Sequence, residues 1–187
     1  FVTAVLTQNT NWKNVEKALE NIYKFTNPKD ILKDLHKFSK QEIASLIKPA
    51  GFFNLKADRL KNLLNYLSSF NFEIKKLKEF DTHILRKELL KIKGIGKETA
   101  DSILLYALDK PIFVVDTYTK RIIERMYKIK EKDYDKVLEI FHKVYPKNTK
   151  LFQKLHGLIV EHAKALCRKK PLCNKCKLSK KCLFSSP

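Results

Sequence analysis

Apolar residues repeat at helical spacing along almost the whole chain, and this pattern constrains the fold more than any other feature. After Asn11, for example, Val15, Ala18 and Ile22 fall on one helical face. The one strand-like run, residues 112–115, is too short and solitary to build a sheet. Only four Gly and six Pro occur in 187 residues, which argues against turn-dense β folds. The sequence therefore predicts an all-α protein.

Polar caps, Pro and Gly predict where the helices begin and end. Asn11 is a plausible N-cap for the helix that follows it. The predicted helices are those after Asn11, after Ser39 up to Pro49, around residues 57–67, over 81–90, over 97–108 before Pro111, after Asp116, over 137–144 before Pro146, and over 151–166.

The charge of the chain points to a polyanionic partner. Lys and Arg total 39 against 20 Asp and Glu, a formal net charge of +19. The alternative is a Lys-rich proteome in which surface lysine is the default. No apolar run approaches the roughly 18 residues of a membrane span, and residues 1–6 lack the charged start of a secretory signal. The chain opens at Phe1 within an apolar pattern, so we expect that an N-terminal segment is missing.

Two glycines one residue apart, Gly94 and Gly96, separate the predicted helices over 81–90 and 97–108. Gly permits positive φ and close approach of another backbone. The first amides of the second helix are unpaired and lie at its positive dipole end. With Lys93 and Lys97 beside them, they predict a hairpin that binds a DNA phosphate. The alternative is an ordinary corner between two helices.

Asp116 directly follows the apolar run at 112–115, so it lies at the end of a buried segment. There it can cap the next helix, or it can be a catalytic carboxylate that faces a cleft. Spacing alone favours the cap.

Four cysteines lie within the last 21 residues at the spacing C-x5-C-x2-C-x5-C. Thiolate-only ligation suits Zn²⁺ or an iron–sulfur cluster, and spacing does not separate the two. A disulfide pair is a more distant alternative. The same region carries seven Lys and Arg and no acidic residue, so it can also contact DNA phosphates. The predicted ligands are Cys167, Cys173, Cys176 and Cys182.

The sequence resembles the endonuclease III superfamily of DNA glycosylases, the helix-hairpin-helix-GPD group, in several segments that occur in the same order. Residues 93–101 resemble its hairpin, and residues 114–117 resemble the segment with its catalytic Asp. The cysteines resemble its [4Fe-4S] loop, with a first gap one residue shorter than the common pattern. Residues 5–10 resemble its first cleft helix, and Gly51 with Lys56 and Ala57 matches a further segment.

The resemblance implies a two-lobed helix-hairpin-helix glycosylase that flips a damaged base of double-stranded DNA into a cleft. Residues 1–110 would form the lobe that ends in the hairpin, and residues 111–187 a cluster domain with a [4Fe-4S] cluster, or Zn as the alternative. It implies that Asp116 is catalytic and that Gln8 fills the vacated stack. The implied backbone contacts are Gly94, Gly96, Lys93, Lys97 and Thr99.

Family members that also cut the strand carry a Lys two residues after the second hairpin glycine, where this chain has Glu98. Lys97 is next to it, but one residue turns a side chain by about 100° around the helix. We therefore expect a monofunctional glycosylase without lyase activity.

Within the superfamily, residues 6–12 and 94–98 resemble the 3-methyladenine glycosylase branch, although that branch tends to lack the cysteines. The resemblance places Trp12, Lys164 and Glu98 at the damaged base. Alkylated purines are cationic, and Trp offers the best cation–π face. The alternative for Trp12 is a core residue or a hydrophobic staple, and for Lys164 a solvated surface position.

Three functions compete: a monofunctional glycosylase for alkylated purines, a bifunctional or mismatch glycosylase of the same fold, and a non-catalytic DNA-binding module. Glu98 argues against a lyase, and Asp116 within its motif argues against a pure binder. We expect a monomer in the cytoplasm, associated with the nucleoid and without a membrane partner.

Overall fold

The computed structural model describes residues 1–184 and is helical without strands over that range. This confirms the prediction of an all-α fold. The α-helices are α1 (Val2–Leu6), α2 (Trp12–Tyr23), α3 (Ile31–Lys37), α4 (Lys40–Leu46), α5 (Phe53–Ser68), α6 (Ile74–Glu79), α7 (Thr82–Lys91), α8 (Lys97–Ser102), α9 (Thr117–Tyr127), α10 (Tyr134–Val144) and α11 (Thr149–Ala165). Short 3₁₀ turns cover Lys48–Ala50, Cys173–Lys175 and Ser179–Lys181.

The chain divides into two compact units, Phe1–Leu108 and Asp109–Pro187. Residues 185–187, the end of the predicted cluster domain, lie outside the described residues. Within residues 1–184, no helix combines the length and apolar character that crossing a membrane requires.

Helix α5 is the centre of the first unit and packs against α1, α3 and α4. Its buried apolar face repeats at helical spacing because these positions point towards the other helices. Lys56 on α5 is also buried, and its ammonium donates to the carbonyls of Leu6 (2.8 Å) and Ala50 (2.7 Å). Burial lowers the pKa of Lys56, and the nearby Arg59 charge lowers it further. Lys56 thus holds the end of α1, just before Gln8. The buried α5 residues are Lys56, Ala57, Leu60, Leu63, Leu64 and Leu67.

The predicted helix over 81–90 is α7, for which Asp81 is the N-cap. The predicted helix over 97–108 is only partly correct, since α8 ends at Ser102 and a π-helical turn, Ile103–Ala107, continues it. The amide of Leu108 donates to the carbonyl of Ile103 (3.1 Å), five residues back. Apolar spacing does not distinguish this turn from an α-helix, because both bury the same residues.

In the second unit, residues 112–116 form neither a helix nor a strand and lead into α9. Phe113 stacks on Phe141 of α10, with ring centroids 3.9 Å apart, and meets Phe152 of α11 edge-on at 5.7 Å. Helix α11 also packs against α9. Aromatic packing therefore fixes the segment that delivers Asp116.

Two helices, α3 and α6, have no counterpart among the sequence predictions. Each spans at most two turns and buries a single residue, Leu35 in α3 and Leu77 in α6. A single apolar residue creates no periodicity, so the pattern alone gives no signal for either helix.

Candidate active site and nucleic-acid interface

The glycine hairpin joins α7 to α8 through residues 92–96. Gly94 has a φ of +94°, which residues with a side chain rarely adopt, and a Cβ there would clash with Cγ of Arg59. Gly96 is the N-cap of α8 with an ordinary φ of −87°, and a Cβ there would meet open space. The two glycines thus have different roles. Gly94 is needed because of its positive φ and its close contact with Arg59, whereas Gly96 leaves the start of α8 open to an approaching molecule.

Gln8 follows α1 and is bound to the hairpin. Its side-chain amide donates to Oγ1 of Thr99 (2.8 Å) and to the carbonyl of Gly94 (3.3 Å). Its Oε1 accepts a hydrogen bond from the guanidinium of Arg59. The structure thus brings together Gln8, Gly94 and Thr99. Arg59 was not predicted, because only the fold places it beside residues 51 positions earlier and 35 positions later.

A buried ion pair holds the two helices of the hairpin together. Arg86 of α7 donates to both carboxylate oxygens of Asp101 on α8, at 2.7 and 3.0 Å. The Asp101 side chain is 0% exposed, so its charge depends on this bidentate partner. This pair was not predicted from the sequence, although its two residues lie on the two helices that flank the hairpin.

The remaining hairpin residues differ in exposure. Thr99 is buried, Lys97 is half-buried, and Lys93 is exposed with its carbonyl accepting from Nδ2 of Asn62 (3.0 Å). Glu98 is exposed in the first turn of α8.

Trp12 is the first residue of α2 and is 49% exposed. Its indole N–H donates to Oε1 of Glu16 (2.7 Å), one turn along the same helix. The alternative that Trp12 is a core residue is therefore wrong. Asn11 before it is confirmed as the N-cap of α2, since its side chain accepts from the amide of Asn14.

Asp116 is the N-cap of α9, so the structure confirms its capping contact. Its Oδ1 accepts from the amide of Thr119 (2.7 Å), and its Oδ2 lies 3.5 Å from Nε2 of His156 on α11. Burial alone raises the pKa of Asp116, but the His156 ring and the Thr119 amide together outweigh it, and the pKa lies below the ordinary value. The carboxyl group is thus buried and ionised at neutral pH.

Lys164 lies on the exposed side of α11. Its ammonium is 5.8 Å from the ring centroid of Tyr118, the residue two positions after Asp116, and the Arg121 guanidinium is 5.2 Å from the same ring. The fold therefore brings Lys164 near the first turn of α9, which spacing alone does not predict.

The cysteines all line one largely apolar cavity between α9, the end of α11 and the loop that follows. All four are half-buried and free of disulfides, which rejects the disulfide alternative within the described chain. Arg125 of α9 donates to Sγ of Cys167 (3.3 Å) and to the carbonyls of Arg168 (2.7 Å) and Lys169 (3.0 Å). The guanidinium of Arg121 donates to the Cys167 carbonyl (2.9 Å).

Four cysteine thiols outside any disulfide, around one apolar cavity, are a donor set that fits an iron–sulfur cluster. Over residues 1–184, however, no three His, Cys, Asp or Glu side chains come together as a single metal ion requires. Tetrahedral Zn²⁺ draws its thiolates to about 2.3 Å from one point, whereas a cluster binds each cysteine through a separate iron.

The helical fold, the hairpin and the buried carboxylate at the start of α9 define an endonuclease III-like helix-hairpin-helix DNA glycosylase. The sequence matches the family described as HhH-GPD superfamily base excision DNA repair protein over residues 2–147, and the chain belongs to this family. It is thus an enzyme that binds DNA and acts on its bases.

Among similar proteins, a provisionally assigned DNA repair glycosylase of Methanocaldococcus jannaschii is 51% identical over 174 residues, which cover 90% of this chain and 77% of that protein. Endonuclease III of Thermotoga maritima is 28% identical over 171 residues, covering 90% of this chain and 73% of its own.

Solved structures show the same relationship. The 3-methyladenine DNA glycosylase of Helicobacter pylori bound to 1,N6-ethenoadenine has a TM-score of 0.77 and 34% identity, and the match covers 87% of this chain and 82% of that one. Endonuclease III trapped covalently on DNA has a TM-score of 0.81 at 21% identity, over 98% and 82% of the chains. The second likeness shows the fold alone.

Proposed function

We propose that the protein is a monofunctional glycosylase that hydrolyses the N-glycosidic bond of alkylated purines such as 3-methyladenine in double-stranded DNA. The observation that carries the proposal is Glu98, an exposed carboxylate at the position where strand-cutting relatives carry a Lys. A carboxylate forms no imine, and Lys97 points about 100° away around the helix. Base release therefore uses water.

The exposed indole of Trp12 supports an alkylated purine as substrate. Its face is free to stack, and a cationic base over an indole gains about 0.5–2 kcal/mol over a neutral one. The 34% identity with a 3-methyladenine DNA glycosylase supports the same class of base. We also propose that Glu98 and Lys164 each take part in recognition of the damaged base.

Asp116 stabilises the positive charge that develops on the sugar as the bond to the base breaks, or it orients the attacking water. Its low pKa supports either role, because both need the ionised carboxylate. An alkylated purine is already a good leaving group, so protonation of the base is not required.

The hairpin binds the DNA backbone through the amides at Gly94 and Gly96, the ammonium groups of Lys93 and Lys97, and the Thr99 position. Gln8 fills the gap left by the flipped nucleotide. In the free protein its amide is bonded to Gly94 and Thr99, so insertion exchanges these contacts for contacts with DNA. Residues 1–110 act as the hairpin domain and residues 111–187 as the cluster domain.

Cys167, Cys173, Cys176 and Cys182 hold a [4Fe-4S] cluster, which cross-links the C-terminal loop when bound. The four cysteines that line one apolar cavity support a cluster, with Zn²⁺ as the alternative. The loop presents its basic residues to the DNA phosphates. A purified protein that contains zinc and no iron would contradict this assignment.

Replacing Arg125 by Met is expected to lower the iron content and the visible absorbance of the purified protein. Arg125 bonds to Cys167 and to the carbonyls of Arg168 and Lys169, so its loss frees the start of the cysteine loop. Lys130→Met, which removes an exposed charge just after α9, is the matched control. Equal iron content in both variants would show that Arg125 does not hold the loop.

Replacing Lys169 and Lys170 by Gln is expected to weaken the salt dependence of DNA binding without changing which base is removed. If about six cationic side chains contact phosphates, the slope of log affinity against log salt concentration is about −5. Each lost contact brings this slope closer to zero by about 0.9. Fluorescence anisotropy at several salt concentrations measures this slope. The exposed pair Lys24 and Lys29 is the control, and an equal change in slope for that pair would contradict the assignment.

The function is tested by a base-release assay on duplexes that each contain one lesion: 3-methyladenine, 1,N6-ethenoadenine, uracil opposite guanine, or an oxidised pyrimidine. Release of the alkylated purines with an intact abasic strand supports the proposal. Strand cleavage and a protein–DNA adduct trapped by borohydride would instead indicate a lyase. No release of any base, with DNA binding retained, would indicate a binding module.

A further inference from the structure

Residues 112–116 have no sheet partner in the described chain, and two of their backbone amides donate to side chains of α10 instead. The amide of Phe113 donates to Nε2 of His142 (3.2 Å), and the amide of Val115 donates to the Tyr134 hydroxyl (3.3 Å). The position of Asp116 at the end of this segment is therefore fixed from one side by α10.

His156 of α11 faces the same segment from another side. Its side chain is 13% exposed, and its ring meets Phe113 edge-on, with centroids 6.0 Å apart and planes at 83°. Since Phe113 is itself packed against Phe141 and Phe152, the orientation of the His156 ring is set by the core.

The two oxygens of the Asp116 carboxylate have different surroundings. Oδ1 accepts the Thr119 amide, which is all that a helix N-cap requires. Oδ2 faces Nε2 of His156 at 3.5 Å, a contact that the cap does not need. A carboxylate oxygen has further lone-pair sites, so this contact leaves Oδ2 able to face the sugar or a water.

We infer that His156 is a positioning residue that orients the Asp116 carboxylate through Oδ2, without touching the substrate. The inference rests on the proposed catalytic role of Asp116. The neighbouring titratable groups are His142 and Tyr134 of α10, which bind the backbone at Phe113 and Val115. Of the contacts described for the carboxylate, the Thr119 amide belongs to α9 itself, and His156 supplies the one from another helix.

The pH dependence of base release follows from this arrangement. The pKa of Asp116 is raised by burial and lowered by the His156 ring and the Thr119 amide, with a net lowering. Removing His156 takes away one lowering cause and leaves the burial, so the pKa of Asp116 rises. Catalysis that needs ionised Asp116 is then lost first at acidic pH, and the acid limb of the rate profile moves to higher pH.

The test is single-turnover base release against pH for His156→Phe, which keeps an aromatic ring against Phe113 but has no N–H. We expect the acid limb to move up by about one pH unit, so that the rate well below the limb falls about ten-fold. His156→Gln retains an N–H near the Nε2 position, so its acid limb should lie between those of the wild type and His156→Phe. His142→Phe disturbs the same segment from α10 and should lower the melting temperature with the limb in place.

An acid limb that stays in place in His156→Phe would overturn the inference, as would a rate lowered equally at every pH. If His156→Phe does not fold, His156→Leu, which also lacks an N–H, is compared with the wild type, and an acid limb that is unchanged in that variant overturns the inference equally. If the wild-type protein releases no base, the proposed function has failed, and ¹³C NMR titration of the Asp116 carboxyl decides the inference alone: the His156 variant must raise that pKa.

Discussion

Replacing Asp116 by Asn is expected to slow base release by about 100- to 10,000-fold while leaving the fold intact. Asn is as good an N-cap as Asp, so the contact with the Thr119 amide and the start of α9 survive. What is lost is the negative charge that we propose stabilises the sugar. Single-turnover base release and a thermal unfolding curve measure the two effects separately.

Asp133→Asn is the matched control, because Asp133 caps α10 through the amide of Lys136 and has no proposed role in chemistry. It makes the same chemical change at the same kind of position. A wild-type rate for the Asp116 variant would show that this residue is only a cap and would leave the catalytic group unassigned.

Replacing Gly94 by Ala is expected to lower the free energy of unfolding by about 2–5 kcal/mol and to weaken DNA binding. About 1–2 kcal/mol comes from the positive φ, and the rest from the clash between the new Cβ and the Arg59 side chain. The variant also disturbs Gln8, which bonds to both residues. Chemical denaturation and anisotropy with duplex DNA measure the two losses.

Gly51→Ala separates the two causes, since Gly51 also has a positive φ, +70°, but a Cβ there meets open space. It should cost only the backbone strain. Gly96→Ala has neither problem and should cost only the weaker N-cap that Ala makes, about 1 kcal/mol or less. If Gly94→Ala and Gly51→Ala are equally stable, the packing of Arg59 against the hairpin is not as tight as the structure has it.

Much of the fold could be predicted from sequence because its signals are local. The cap at Asn11 depends on residues within one turn, and so does the contact of Asp116 with Thr119. The long amphipathic helices follow from spacing alone, since each buries several residues on one face. Short helices such as α3 and α6, with one buried residue each, lack that signal.

The candidate site was predicted as separate residues rather than as contacts. Gln8 and Gly94 were expected to act on DNA, but their bond to each other, and to Arg59, joins positions far apart in the chain. The Arg86–Asp101 pair inside the hairpin was also missed, because a charge pattern does not reveal which charges become buried.

The sequence by itself determined the helical class, the hairpin with its two glycines, the Asp at the start of a helix and the cysteine cluster. Each of these depends on backbone preferences or on spacing over a few residues. Only the tertiary structure decided that Gln8 binds Thr99, 91 positions away, and that His156 faces Asp116. The physical reason is that burial, and with it the pKa of Asp116 and the fit of Gly94 against Arg59, is set by side chains from helices distant in sequence.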